Sequence, residues 1–346
     1  MDYAVESLIK VVVVIGVLLG AVAYLVLAER KVSAFIQNRL GPNRVGPWGL
    51  LQPLADGLKF LFKEDVIPNH VNLVVYLAAP PAILIPALIG FAVVPFGDTI
   101  TLFGRNVQLQ IADVNVGILY ILAMGSLGVY GVVLGGWASN NKYALLGGIR
   151  ASAQMISYEL SLGLSLIGVL MISESLRLND IVSVQASHTL FGFLPRWNVF
   201  TQPLAFVIFT VSAFAEANRL PFDLPESEQE LVAGYHAEYS SLKFAMFFMA
   251  EYAHMITASA VVATLFFGGW HVPWLIEPGD VSLQASLLKV AAFAVKTGFF
   301  MFLFLWVRWT LPRFRYDQVM WLGWRVLLPL SLLNVFVTGL LITLAR

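Results

Sequence analysis

The chain alternates long apolar stretches with short polar connections, and the stretches are too long for a water-soluble core. A helix needs about 20 mostly apolar residues to cross hydrocarbon with its backbone satisfied internally. Eight stretches approach that length: 5–28, 71–94, 116–137, 153–173, 199–217, 244–268, 285–307 and 326–345. Their flanks carry turn chemistry, as in Gly41-Pro42-Asn43 and Leu311-Pro312-Arg313. One further segment is amphipathic. Leu51, Leu54, Leu58, Leu61 and Phe62 recur at helical spacing, while Gln52, Asp56, Lys59 and Lys63 take the opposite face and Trp48 stands at the start. This predicts a helix lying at the membrane surface or roofing a cavity, although a helix packed under a partner has the same pattern. The pattern as a whole predicts an all-α polytopic membrane protein of about eight transmembrane helices plus an amphipathic interfacial helix. It forms a single integral membrane domain over 1–346, with no evident internal repeat.

Composition removes the alternative of two or three soluble domains. Hydrophobic residues make up 59% and charged residues 12%, the latter roughly half the usual share. Cysteine is absent, which excludes disulfides, thiolate zinc sites and iron–sulfur ligation by this chain. Five scattered histidines suggest no metal site, and a net charge of zero gives no electrostatic case for nucleic acid.

Charge placement sets the orientation. Fourteen of the 21 Lys and Arg residues fall in the connections at about 29–70, 138–152, 217–243 and 308–325. Lys10, Arg105, Arg177, Arg196 and Arg346 lie on the other side, and Lys289 and Lys296 lie within a span. The positive-inside rule makes the basic loops cytoplasmic and both termini periplasmic. No cleavable signal is evident, because Val11 to Ala28 runs past signal length into Glu29-Arg30-Lys31. A bacterial inner membrane is the expected location, in preference to a mitochondrial one.

Ionisable groups inside the spans carry the functional information. Each costs about 2.5–3.5 kcal/mol at a helix centre on insertion scales, so each needs a reason to be there. Glu29 ends the first span, Glu159 lies one to two turns inside the fourth, Glu216 closes the fifth and Glu251 lies about two turns inside the sixth. All four fall in the cytoplasmic half, the shared depth that a proton path entered from a cytoplasmic cavity requires. Burial and neighbouring cations can tune such carboxylates to exchange protons near neutrality. Read structurally, each is instead a snorkelling or salt-bridged residue. Lys296 reads as their counter-ion or as a relay, and His254, on the face of Glu251, as one half of a hydrogen-bonded pair. The densest run is Glu216-Ala-Asn-Arg-Leu-Pro-Phe-Asp-Leu-Pro-Glu-Ser-Glu-Gln-Glu230, continuing to Glu238-Tyr239. Asp223 and Pro225 resemble a helix start, and the acids face basic loops on the same side, which suggests an internal polar network.

Three blocks carry a family resemblance. The first runs from Glu29-Arg30-Lys31 through Gln37-Asn-Arg-Leu-Gly-Pro-Asn43 to Leu51-Gln-Pro-Leu-Ala-Asp-Gly57. The others are Glu216-Ala-Asn-Arg-Leu-Pro-Phe-Asp223 and Pro312-Arg-Phe-Arg-Tyr-Asp-Gln318. In order and over essentially the whole chain, they resemble the H (or first) subunit family of proton-translocating NADH:quinone oxidoreductase, respiratory complex I. The resemblance implies a protein that joins the membrane and peripheral arms and encloses most of a quinone channel. Arg30, Arg39 and Arg308 would line or support that channel, with Asp56, Glu226 and Glu228 nearby; Glu29, Tyr239 and Arg315 join the channel set. Glu159, Glu216 and Glu251 would form a buried acidic path, with Asp223 and Glu238 in the adjoining acidic loop. Quinone is then the substrate, FMN and iron–sulfur clusters sit on peripheral partner subunits, and the partners are the other membrane-arm and peripheral-arm subunits.

Other readings share some of these features. A related enzyme with another electron donor would carry a homologous chain. A stand-alone proton-coupled transporter fits eight spans and buried acids, but explains the long motif-rich loops poorly. A di-haem cytochrome needs paired intramembrane histidines, and only His254 lies well inside a span. A structural anchor would share its surface with a quinone chamber.

Overall fold

The computed structural model describes residues 3–102, 105–187, 189–190, 194–225, 231–275 and 282–345. Its helices are α1 (Tyr3–Ile36), α2 (Gln52–Phe62), α3 (Leu73–Ile89), α4 (Gly117–Ala138), α5 (Lys142–Ser173) and α6 (Leu178–Ser187). There follow α7 (Asn198–Thr201), α8 (Pro203–Glu216), α9 (Ser241–Phe266), α10 (Leu283–Thr310), α11 (Tyr316–Trp321) and α12 (Leu328–Ala345). A π-helical turn, Leu322–Leu327, joins the last two into one rod. Two short antiparallel hairpins, Thr99–Leu102 with Arg105–Gln108 and Thr189–Leu190 with Leu194–Pro195, decorate the connections after α3 and α6.

Seven of the helical segments in the described residues are long and apolar enough to cross a membrane, and the chain is a multi-pass helical membrane protein. The fifth expected span, 199–217, is interrupted. Gln202 leaves the helical region at φ −134° and ψ 56°, Pro203 follows, and only the 14 residues of α8 continue. Proline cannot donate the missing backbone bond. Gln202 is held at the break by side chains of α12: Asn334 donates to its Oε1 at 3.0 Å, and its Nε2 donates to Thr338 Oγ1 at 2.9 Å. Other helices overrun their apolar windows. α1 continues to Ile36, and α5 starts at Lys142, so Glu159 lies mid-helix rather than one to two turns inside. Hydropathy marks the lipid-matched window only; Asn141 caps the earlier start of α5 by accepting from Tyr143 N at 2.9 Å.

Helices α5 and α9 are the most buried and form the centre of the bundle. Small residues let the backbones approach: a Cβ on Gly131 of α4 would lie 2.7 Å from the Ile83 backbone nitrogen of α3. The amphipathic helix forms as expected. Leu54, Leu58, Leu61 and Phe62 on α2 remain exposed, a face suited to lipid. Its C-terminal end is tied to the start of α9, where the Ser241 hydroxyl donates to the carbonyls of Phe60 and Lys63 at 2.9 and 3.0 Å, and Lys243 pairs with Asp65 at 2.7 Å.

Candidate functional site

The tie between α2 and α9 holds a cavity of about 440 Å³ open beside α1. Its walls are apolar along Val22, Val26, Phe60, Phe248 and Met249, and polar at Glu29, Arg30, Asp56, Tyr252 and Arg308. A mostly apolar pocket with a few convergent polar groups is the usual form of a small-molecule site. On the rim, Arg30 pairs with Asp56 at 2.8 Å, and Gln52 of α2 also donates to Asp56, at 3.1 Å. Glu29 and Arg30 adjoin in sequence but point to different partners.

Behind the polar wall lies a buried charge cluster. Arg308 reaches Glu29 at 3.0 Å, and the Tyr252 hydroxyl donates to Glu29 at 2.7 Å. Arg219 lies 3.5 Å from Glu29 and forms an ion pair with Glu251, Nε to carboxylate 2.6 Å, with its guanidinium 4.2 Å from the Tyr252 ring centre. Two carboxylates and two guanidiniums balance, which is what charges need when water is excluded. Further inward, Glu216 at the end of α8 pairs with His254 Nε2 at 3.3 Å, so the partner of His254 is Glu216 and not its helix neighbour Glu251. A cavity of about 30 Å³ touches Glu216, Glu251 and His254 together, room for a water molecule among polar partners. A second of the same size runs from Glu216 and His254 along Leu122, Leu166 and Val261. Glu159 accepts from the Ser126 hydroxyl of α4.

The remaining expected residues separate into two groups. Asp223 is buried and pairs with Arg313 at 2.8 Å; Glu238 accepts from Asn141 at 2.7 Å; Tyr239 stacks on Tyr76 with ring centres 4.2 Å apart. Burial pushes the Tyr239 phenol above its ordinary range. These three tie the acidic loop to α3, α5 and the Pro312–Gln318 connection rather than facing the cavity. Arg39 donates to Gln37 at 2.6 Å, and Arg315 pairs with Asp317 at 3.1 Å, both in exposed positions off the cavity wall. Glu226 and Glu228 lie outside the described residues.

Lys296 is neither counter-ion nor relay for these acids. It donates to the carbonyls of Phe267, Gly269 and His271 at 2.8, 2.9 and 2.7 Å. These carbonyls follow the last residue of α9, about four turns beyond Glu251, where a cation satisfies the helix end. On that same side, Asp113 is hydrogen-bonded by Arg177, which holds its carboxyl below the usual carboxylate value, and Lys289 pairs with Asp98 at 2.9 Å. Burial, reinforced by Lys296 and Lys289, pushes the His271 imidazole down to about 4.

A family model described as NADH dehydrogenase matches residues 9–339. An NADH-quinone oxidoreductase H subunit of Koribacter versatilis is 54% identical over 352 residues, covering 98% of this chain and 97% of the relative. An H subunit of the same enzyme from Geobacter sulfurreducens is 52% identical over 355 residues, covering 99% and 97%. The H subunit from Flavobacterium johnsoniae is 48% identical over 343 residues, covering 98% and 96%. The chain belongs to the family of NADH-quinone oxidoreductase H subunits.

Within this H-subunit chain, three participants in the cluster were not legible as such. Arg219 stands inside the Glu216–Asp223 block, yet only the fold shows that it serves both Glu29 and Glu251. Tyr252 reads as one more apolar-face aromatic. Ser126 lies in a Gly-rich stretch of α4 whose small residues read as packing. For Arg219 the signal was available: an arginine three residues after a carboxylate that closes a span needs an acidic partner.

Proposed function

We propose that this H-subunit chain forms the quinone chamber of a proton-translocating NADH:quinone oxidoreductase, at the junction of its membrane and peripheral arms. The observation that carries the reading is the cavity between α1, α2 and α9, whose polar wall includes Glu29 and Arg308 and is backed by Arg219 and Glu251. The isoprenoid tail lies along Val22, Val26, Phe60 and Phe248, and α2 forms the lipid-facing mouth. Flavin and clusters reside on partner subunits; this chain has no cysteine to ligate a cluster. The protein lies in a bacterial inner membrane as one integral domain, with the basic loops cytoplasmic and both termini periplasmic. The broken segment α7–α8 then serves as the eighth crossing.

Converting a quinone to its quinol takes up two electrons and two protons, and charge appears transiently in a chamber of low dielectric. Carboxylates nearby respond as a coupled set. Arg219 bridges Glu29 and Glu251, so a change at the cavity wall alters the field at Glu251. Glu251 shares a small cavity with Glu216, and Glu216 with Glu159 continues the path into the membrane arm.

In the intact complex, a photoreactive quinone should label α1, α2 or α9 at Val26, Phe60 or Phe248. Labelling confined to a partner protein would reduce this chain to an anchor. Glu216→Gln should leave NADH oxidation by an artificial acceptor intact while impairing quinone-linked turnover. Unchanged quinone activity and pumping would remove Glu216 from the path.

A further inference from the structure

Between Glu216 and Glu159, α4 presents two adjacent small residues, one touching each acid. A Cβ built on Gly125 would lie 2.6 Å from Glu216 Oε1 and 3.7 Å from His254 Cε1. The Glu216 carboxylate therefore rests on bare backbone, in space that any side chain would occupy. The next residue, Ser126, has its hydroxyl on Glu159 Oε1 and also 2.9 Å from the Leu122 carbonyl. A serine hydroxyl has one proton to donate and lone pairs to accept with. The Leu122 carbonyl can only accept, and Glu159 accepts when ionised but can donate when protonated.

We propose that Gly125 and Ser126 of α4 form the relay between Glu216 and Glu159. Gly125 seats the Glu216 carboxylate, and the Ser126 hydroxyl is the rotor that passes the proton on. With Glu159 ionised, Ser126 donates to it. With Glu159 protonated, the acid donates to Ser126, which turns its own proton to the Leu122 carbonyl. In a transfer, the hydroxyl proton goes to Glu159. Ser126 regains one from the Glu216–His254 side, through a water in the cavity that Gly125 lines, so the serine ends as it began and Glu216 is left ionised. The proposal rests on reading Glu251, Glu216 and Glu159 as one path. It adds that α4 carries the proton between the last two.

The test uses the assembled complex in proteoliposomes, with artificial-acceptor activity as the measure of assembly. Ser126→Ala removes the rotor with little change of volume, and quinone-linked pumping should fall by at least about tenfold, the rate equivalent of one buried hydrogen bond to a charged group. Ser126→Thr keeps a hydroxyl and should restore most of it. Gly125→Ala is favourable to a helix on propensity alone, yet should impair pumping by displacing the Glu216 carboxylate. The infrared carboxyl band assigned to Glu159 by its loss in Glu159→Gln should shift in Ser126→Ala and return in Ser126→Thr. If Glu216→Gln and Glu159→Gln impair pumping while Ser126→Ala pumps normally with an unshifted band, the relay is overturned and the acidic path stands. If both glutamine variants pump normally, the path itself falls and the relay falls with it.

Discussion

The two polar regions of this molecule are wired in opposite ways. On the side away from the cavity, no described acid meets more than one cation: Asp113 and Asp180 both serve Arg177, Asp98 serves Lys289, and Lys296 is held by three backbone carbonyls. In the buried cluster on the cavity side, Glu29 draws on two arginines and Glu251 on one of the same two, and the cations thin inward. Among the described partners, Glu29 meets two arginines, Glu251 meets Arg219, Glu216 meets a histidine and Glu159 meets a serine. A closed pair is a fastener, since either partner moves only by abandoning the other. A shared set can redistribute. The gradient from arginine to serine replaces permanent countercharge with groups that gain or pass a proton, which is the order a proton path requires.

Breaking the shared cation should have the largest effect. Arg219→Met leaves Glu29 and Glu251 short of charge in a buried cluster, and should cost about 3–5 kcal/mol, read as a lowered thermal inactivation temperature of the complex together with lost quinone activity. Next in size is Arg30→Gln at the cavity rim. Its pair with Asp56 is half exposed, so stability should change by no more than about 1 kcal/mol, while quinone KM rises more than kcat falls. An equal loss of kcat and kcat/KM would place Arg30 in the chemistry instead of the portal.

On the fastened side, Arg177→Gln should change stability by about 1 kcal/mol or less, because the arginine is substantially exposed. It should leave quinone kinetics unchanged; a pumping defect there would erase the contrast between the two regions. The smallest expected effect is a pH dependence. His271 titrates lower in the folded protein than its ordinary 6.5, near about 4, so between those values the unfolded chain binds the extra proton. Its contribution to stability is full above 6.5 and declines as pH falls toward about 4. Thermal inactivation profiles over that range should be shallower in His271→Gln than in the parent.

Much of the fold was legible because hydrocarbon imposes a length rule, and the surface helix α2 was legible because its two faces differ. The broken fifth span was not: Gln202-Pro203 sits in an otherwise apolar run, and the fixing groups Asn334 and Thr338 belong to the last helix. The glutamates of the site stood out by their cost in a span. Their partners did not, because Glu29 meets Tyr252 across 223 positions, and periodicity is silent about contacts between helices. Lys296 was misassigned for the same reason: a charge inside a span announces that it has a partner, and the carbonyls beyond a helix end leave no mark in the sequence.

The brevity of α8 has a geometric consequence. Fourteen residues rise about 21 Å, well short of a hydrocarbon layer of about 30 Å. A helix end buried among other helices leaves carbonyls that need donors. Gln154 of α5 donates to Ala215 O in the last turn of α8 at 2.7 Å and to Phe222 O in the loop beyond it at 2.8 Å. The short helix and the glutamine bound to its last turn thus make a polar ledge among buried residues, and the ledge is where the chain turns toward Arg219.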